Sequence, residues 1–216
     1  ASFEKNIGIA HYNKAQWKES VRYFDKVLNR WERPSPKKGL SGMVTLSWDL
    51  LSMMKMIYLK FPNSKKIPEE RENELLELYY KMATALVYFD NTRQFQVVMA
   101  ILKHMTKFDL SRIPKISGFL AAVAGNFSVT GLSFNLSNRL LEVSQRYRVP
   151  EDIRERLQYG LLTTVIHHCQ GSWGKIRDLE EELLNFSLRI GDLWHAPEYL
   201  WFSGLTKGEQ GDFGHL

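Results

Sequence analysis

Hydrophobic residues recur at spacings of three and four along most of the chain, and no stretch shows the alternation of an amphipathic strand. Such spacing gathers apolar side chains on one face of a helix. The sequence therefore predicts an all-α protein. The predicted helices cover residues 3–13, 17–31, 41–60, 68–90, 93–107, 114–127, 133–147, 151–169, 173–189 and 194–209.

Prolines lie at or near the starts of several predicted helices, and glycines follow the ends of others. Pro68, Pro114 and Pro150 stand at or near predicted N-termini, where a missing backbone N–H costs nothing. Glycines mark the breaks after three of the later helices, at Gly171, Gly191 and Gly211.

The first 34 residues contain a pair of helices with small residues at the positions where the helices would cross. Gly8 and Ser20 would let the helices approach closely, and Trp17 opens the second helix after a turn at Ala15. Other aromatic and apolar residues would fill the space around this crossing: Ile7, His11, Tyr12, Tyr23, Phe24, Val27 and Leu28.

The aromatic residue that opens the second helix returns at a nearly fixed period. Trp17 is followed by Phe95, Phe134, Trp173 and Phe213, at intervals of 78, 39, 39 and 40 residues. The first interval is twice 39, so one degenerate unit lies between Trp17 and Phe95. A fixed period of this length is typical of stacked helical hairpins.

These motifs resemble the tetratricopeptide repeat, most specifically over residues 5–28 and 157–213. The resemblance implies a right-handed α-solenoid of antiparallel helical hairpins with a period of about 39–40 residues. The chain would be a single repeat domain over residues 1–216. It would hold a first repeat at 1–34, an irregular Met-rich unit at 35–66, and further repeats at 67–216.

The later turns are also similar to the helical-repeat arms of large multidomain signal-transduction ATPase-type regulators. The residues that carry this likeness are Gly171-Ser172-Trp173, Arg189-Ile190-Gly191-Asp192 and Gly211-Asp212-Phe213. The last unit has a first helix and a turn but no second helix before Leu216. We therefore expect the chain to be a fragment of a longer protein. No phosphate-binding Gly-rich loop with its Lys-Ser/Thr occurs within it.

Charge adds little to this interpretation. The net charge of +5 is uneven, with +8 in residues 1–66 and −3 in residues 67–216. The lysine pairs of the basic half lie beside prolines, which indicates solvated connecting segments. We expect no nucleic-acid partner. The uncharged stretch between Lys115 and Arg139 contains many Ser, Asn and Gly residues, so it predicts two buried helices and no membrane span.

Candidate catalytic and metal-ligating groups are few. His167 and His168 are adjacent, so they point about 100° apart on a helix and cannot share one metal. Cys169 is expected to be a packing residue, and Glu180-Glu181-Glu182 a solvated helix face. The sequence predicts no enzyme activity, no cofactor and no metal in this segment.

The best candidate for a functional surface is the concave wall of the predicted solenoid. The tetratricopeptide resemblance implies contacts from fixed positions on the first helix of each hairpin. By register these positions are Lys5, Ile9, Tyr12 and Asn13 in the first unit, Leu161, Val165, His168 and Cys169 in the fifth, and Trp201, Leu205 and Glu209 in the sixth.

The predicted function is a cytoplasmic, non-enzymatic scaffold of a larger signalling protein. Its partner would be another protein, a peptide, or other domains of the same chain. The alternative is a sensor that binds a small inducer or a peptide in the groove. Such a sensor would control a linked ATPase, kinase, cyclase or DNA-binding output domain.

Overall fold

A computed structural model describes residues 2–33, 66–190 and 194–212, and all of their regular structure is helical. The chain divides into two compact units, Ala1–Pro114 and Lys115–Leu216. The predicted helix at 41–60 lies outside the described residues, as does Gly191. The all-α prediction is confirmed for the described part of the chain.

Over residues 2–33 and 66–114, the described part of the first unit contains four α-helices and a short 3-10 turn. The helices are α1 (Ser2–Asn13), α2 (Trp17–Arg30), α3 (Glu70–Leu86) and α4 (Asn91–Met105), and the turn is Leu110–Arg112. Each helix packs against the next one along the chain. Helix α3 ends four residues before its predicted end, and the carboxylate of Asp90 caps α4 by accepting from Arg93 N at 3.2 Å.

The crossing of α1 and α2 is as close as its small residues predict. A Cβ added at Gly8 would lie 2.6 Å from Cε1 of Phe24, so only glycine fits there without movement. Ser20 and Phe24 are fully buried at this contact. Glycine at position 8 therefore brings the aromatic ring of α2 directly against the backbone of α1.

Over residues 115–190 and 194–212, the second unit contains five α-helices and a second 3-10 turn. The helices are α5 (Ile116–Val129), α6 (Phe134–Arg146), α7 (Ile153–Cys169), α8 (Glu181–Ile190) and α9 (His195–Glu209), and the turn is Trp173–Lys175. Helix α5 packs against both α6 and α7, and α7 packs against α9. Leu157 of α7, Leu183 of α8 and Ala196 of α9 form a common apolar cluster.

One predicted helix is wrong over its first half. The sequence predicted a helix from residue 173 to 189, but only a three-residue 3-10 turn forms at Trp173, and α8 begins at Glu181. The side chain of Ser172 caps nothing, and Gly174 lies in the turn that would start the helix. A glycine costs about 1 kcal/mol in a helix relative to alanine, so this start is weak.

Four helices end in the same turn. After α1, α2, α7 and α9, a residue with positive φ is followed by one whose N–H reaches the carbonyl five residues back. The positive φ angles are 55° at Ala15 and at Glu32, 66° at Gly171 and 76° at Gly211, and the closing hydrogen bonds measure 2.9 Å, or 3.0 Å after α2. This is the Schellman ending of a helix. The predicted breaks at Gly171 and Gly211 are confirmed.

Buried serines join α5 to α6 in what we call the serine seam: Ser117, Ser128, Ser137 and Ser144. Ser137 Oγ donates to the carbonyl of Ala124 at 2.8 Å, and Ser144 Oγ donates to the carbonyl of Ser117 at 2.6 Å. Ser128 Oγ donates to Ser137 Oγ at 2.8 Å. Each hydroxyl thereby satisfies its own hydrogen-bonding need inside an otherwise apolar contact.

The seam continues to α7 through a buried carboxylate. Glu155 is 3% exposed, accepts a hydrogen bond from Ser117 Oγ, and lies 3.3 Å from the N–H of Val149. Gln170 at the other end of α7 donates from Nε2 to Ser128 Oγ at 3.0 Å. Helices α5 and α7 are therefore held together by polar contacts near both ends of α7.

Candidate functional site

The second unit contains a groove of about 910 Å³ along one face of α7, which we call the α7 groove. It is lined on one side by α6 and on the other by residues 174–180, with Tyr199 of α9 beside them. The α7 residues that line it run from Arg156 to His167. That distance is about 16 Å of helix, enough for roughly five residues of extended peptide.

The groove exists because the second half of the α7 hairpin is not a helix at its start. Ile176 has extended backbone angles, and the chain stays non-helical until Glu181. The hydroxyl of Tyr199 donates to the carbonyl of Arg177 at 2.8 Å and anchors this segment from α9. The face of α7 that a full helix would cover is therefore left accessible between α6 and residues 174–180.

Two carboxylates in the groove are already paired. Arg156 binds Glu180 and also Glu182, the latter at 3.1 Å. Asp178 lies 2.6 Å from the ammonium of Lys207. The predicted solvated face at Glu180-Glu181-Glu182 is confirmed, since all three residues are exposed, and two of them pair with Arg156 at the surface.

The other three cations that line the groove take no part in these ion pairs. The guanidinium of Arg148 lies over the ring of Tyr159, with its carbon 5.1 Å from the ring centroid. Lys175 and Arg177 are exposed. Within the described part of the chain, no carboxylate lies within 4 Å of any of these three side chains.

His167 lines the groove with an unsatisfied nitrogen. Its Nδ1 is buried and has no hydrogen-bond partner among the described residues. Burial lowers the pKa of this imidazole below its ordinary value, and the positive charge of Lys175 lowers it further. His167 is consequently neutral at pH 7.

The two tyrosines and the cysteine near the groove stay protonated. Burial raises the pKa of Tyr159 and of Tyr199 above the usual value for a phenol. Burial also raises the pKa of the Cys169 thiol, which disfavours the thiolate that a nucleophile requires. The groove thus offers the neutral hydroxyl of Tyr159 together with several cations, a chemistry suited to binding.

The predicted contact residues of the first unit lie elsewhere and face neighbouring helices. Lys5 Nζ donates to Oε1 of Glu74 in α3 at 2.8 Å. Tyr12 packs edge-on against Trp17 with centroids 5.4 Å apart, and the ammonium of Lys81 lies 5.0 Å from the Tyr12 ring. Ile9 is half-buried and Asn13 is exposed.

The predicted contact residues on α7 lie away from the groove. Leu161 is buried and Val165 is half-buried. His168 Nδ1 lies 2.9 Å from Thr206 Oγ1 and 3.8 Å from a carboxylate oxygen of Glu209. As predicted, His167 and His168 point to different neighbours. The predicted residue His168 is therefore engaged in packing between α7 and α9.

On α9, Trp201 is 65% exposed and Leu205 is 39% exposed. Glu209 is exposed as well. These three residues and the other predicted contacts do not line the α7 groove. Their role as ligand contacts stays a prediction.

Sequence reasoning missed the residues that do line it. Arg148, Tyr159, Lys175 and Arg177 fall outside the tetratricopeptide contact register, so the repeat pattern gave them no weight. One signal was available, because Gly174 sits inside a predicted helix, where glycine weakens the prediction. A broken helix at that point would have exposed this face of α7.

The described residues were also compared with the requirements of a metal site and of a membrane-spanning helix. No group of three or more His, Cys, Asp or Glu side chains is arranged to hold a metal ion there. No described helix is long and apolar enough to span a bilayer. Compared with protein-family models, curated proteins and solved structures, the chain matches none.

Proposed function

We propose that this chain is a non-enzymatic interaction module that binds an extended segment of a partner protein in the α7 groove. The single observation that carries this proposal is the groove itself, which follows about three turns of α7 and has a volume of about 910 Å³. Its length and open polar rim suit a short peptide. In this proposal the module is the regulatory or scaffolding part of a larger signalling protein.

The proposed architecture is a right-handed α-solenoid of antiparallel, tetratricopeptide-like hairpins. Two features support it. Helices α5, α7 and α9 pack in succession, as the first helices of stacked hairpins do. The turns after α1, α7 and α9 also share one geometry at the positions that the repeat register assigns to turns, and the turn after α2 has this geometry as well.

A small inducer is the second candidate ligand. The groove volume falls within the range of about 300–1,000 Å³ that is common for small-molecule sites. Tyr159 and Tyr199 supply aromatic surface, and Tyr159 also supplies a hydroxyl. Binding of such a molecule would bias a linked output domain only if two states of the module bound it with different affinity.

A variant whose groove is filled by a large side chain tests whether a ligand, either a peptide or a small inducer, binds in the groove. Gln145 is exposed on α6 and lines the groove, whereas its exposed neighbour Arg146 does not. We expect Gln145→Trp to fill the groove and Arg146→Trp to leave it open. A displayed library of random peptides is selected against the unmodified 216-residue chain, and the selected peptides are then measured against both variants.

Peptides that bind the unmodified chain and Arg146→Trp, but lose most of their affinity for Gln145→Trp, would support the proposal. Equal binding to both variants would contradict it. A thermal-shift screen against metabolites runs in parallel. Stabilisation by a small molecule, lost in Gln145→Trp and without any selected peptide, would favour the sensor instead.

A further inference from the structure

The charges that line the α7 groove are not balanced once their existing partners are taken into account. The carboxylates of Asp178 and Glu180 are neutralised by Lys207 and Arg156. Arg148, Lys175 and Arg177 have no carboxylate within 4 Å among the described residues, and Glu142 is the one lining carboxylate without an ion-pair partner there. The lining therefore carries three available positive charges against one negative charge.

We propose that the α7 groove binds a peptide through anionic groups, either carboxylates or phosphates, that pair with Arg148, Lys175 and Arg177. This inference rests on the proposed function, since it names the chemistry of the segment that the groove would accept. Both groups present several oxygen acceptors to guanidinium and ammonium donors. The shared requirement is negative charge on the bound segment.

Two of the three cations are held in place before any ligand arrives. The guanidinium of Arg148 lies against the Tyr159 ring, which limits its rotation and leaves its N–H edge available for acceptors. The backbone of Arg177 is fixed by the hydrogen bond from Tyr199 to its carbonyl. Groups that are ordered in advance lose less entropy on binding, so these positions favour recognition over random attraction.

Lys175 brings the third charge to the side of the groove formed by residues 174–180. It closes the 3-10 turn after α7 and lies close enough to His167 for its charge to act, after burial, in lowering the pKa of that imidazole. His167 is three helical turns along α7 from Arg156, and its buried Nδ1 has no partner among the described residues.

The same distribution disfavours a continuous polyanion. Nucleic acid presents a phosphate at every nucleotide. Once the ion pairs of Asp178 and Glu180 are taken into account, the groove offers only three cations, together with the carboxylate of Glu142. The groove is therefore matched to the few negative charges of an acidic peptide, and binding of nucleic acid is an outcome that would count against it.

Four ten-residue peptides provide the probes. Each alternates Gly with one other residue, which is Glu, phosphoserine, Gln or Lys. Amide chemical shifts of the ¹⁵N-labelled 216-residue chain are followed during titration, because they detect weak complexes and locate them. We expect the Glu or the phosphoserine peptide to shift amides at 159–167 and 174–178, and the Gln and Lys peptides to bind more weakly.

The matched variants reverse charge inside and outside the groove. In one double variant, Lys175→Glu and Arg177→Glu reverse two lining cations. In the control, Arg146→Glu and Arg154→Glu make the same change in net charge at exposed residues that do not line it. The lining variant should weaken binding of the acidic peptides by about fivefold to tenfold, and the control by less than about twofold.

The results distinguish a failure of the charge inference from a failure of the proposed function. If the Gln peptide shifts the same amides with the same affinity as the acidic ones, the charge inference is overturned while the proposed function stands. If no peptide shifts amides of the groove, both are overturned. A DNA oligonucleotide that binds there more tightly than either acidic peptide would also overturn the inference. The tighter of the Glu and phosphoserine peptides identifies which source of negative charge the groove accepts.

Discussion

Two hairpins of the second unit begin at the same place in the repeat and end differently. Phe134 and Trp173 are 39 residues apart, and each is the aromatic that follows the turn after a first helix. Phe134 opens α6, which runs to Arg146 and packs along α5. Trp173 opens only a 3-10 turn, and α8 does not begin until Glu181.

Local residues account for this difference. Ser133 caps α6 by accepting from Leu136 N at 3.2 Å, whereas Ser172 caps nothing and Gly174 follows it. Three residues after the marker, Phe134 is followed by Ser137, which is buried against α5. Trp173 is followed at that place by Ile176, whose larger side chain is only half-buried. The marker aromatic follows a turn at Trp17, Phe134 and Trp173, whereas Phe95 lies inside α4, and the residues after the marker decide whether a helix follows.

The non-helical stretch before Glu181 is what creates the α7 groove. A second helix that began at Trp173 would pack on the face of α7 that Tyr159 and His167 now share with solvent and with residues 174–180. The hairpin with two complete helices is joined by buried hydrogen bonds, and the hairpin whose second helix begins late carries the candidate site.

The largest expected effect comes from replacing Ser137 of α6 with isoleucine, the residue found at the corresponding position, 176, of the other hairpin. Ser137→Ile removes two buried hydrogen bonds and overpacks the contact with α5, so we expect a loss of about 3 kcal/mol in unfolding free energy. Chemical denaturation measures it. Asn135→Ile, an exposed position on the same helix, is the control and should change stability by less than about 0.5 kcal/mol. Equal losses of unfolding free energy in the two variants would show that the buried serine position matters no more to stability than the exposed one.

A smaller effect distinguishes the two glycines around Trp173. Gly171 has φ of 66°, so Gly171→Ala should cost about 1–2 kcal/mol. Gly174 does not have positive φ, and a Cβ there would meet nothing within 4 Å. Gly174→Ala should therefore stabilise by about 0.4–1 kcal/mol through reduced freedom of the unfolded chain. Thermal unfolding of both variants tests the opposite signs, and a gain for Gly171→Ala would refute the turn geometry.

Removing the anchor of residues 174–180 should have a more local effect. Tyr199→Phe deletes the hydroxyl that donates to the Arg177 carbonyl at 2.8 Å, and we expect a cost of about 1 kcal/mol. Hydrogen exchange should accelerate at residues 176–180 and stay unchanged in α6. Uniform acceleration across the second unit would mean that the hydroxyl supports the whole unit.

The smallest expected effect is the pH dependence of His167. Burial, together with the charge of Lys175, lowers the pKa of this imidazole below 6.5 in the folded chain. The unfolded chain therefore binds a proton first as pH falls, and stability contributed by neutral His167 is present above pH 6.5 and is lost through the folded pKa. His167→Gln should reduce the fall in unfolding free energy between pH 7.5 and pH 5. An unchanged slope would contradict this assignment.

Much of the fold follows from the sequence alone. The spacing of apolar residues locates α1, α2, α4, α5, α6, α7 and α9 to within two residues at each end. Gly8 identifies the tight crossing of α1 and α2, because no larger residue fits against Phe24. The helix predicted from Trp173 failed because periodicity describes which face would be buried, and it does not measure the cost of starting a helix at Gly174.

The candidate site was less predictable. A contact register taken from a repeat family assigns the ligand to first-helix positions such as Lys5 and His168, which here contact Glu74 and Thr206. The groove residues Arg148 and Lys175 lie after the ends of α6 and α7, where repeat patterns carry no information. Their proximity depends on how the chain travels between helices, and that path is set by tertiary contacts such as the Tyr199 hydrogen bond.

The serine seam has a consequence for the direction in which the α7 groove opens. Contacts between aliphatic side chains change little when a helix turns a few degrees about its axis, whereas a hydroxyl bonded to one carbonyl fixes that rotation. Ser137 and Ser144 hold α6 to α5 at two points, two helical turns apart. The angular setting of α6 thereby determines where Glu142 and Gln145 point. Buried hydroxyls on one face of α6 therefore orient the residues on its other face that line the α7 groove.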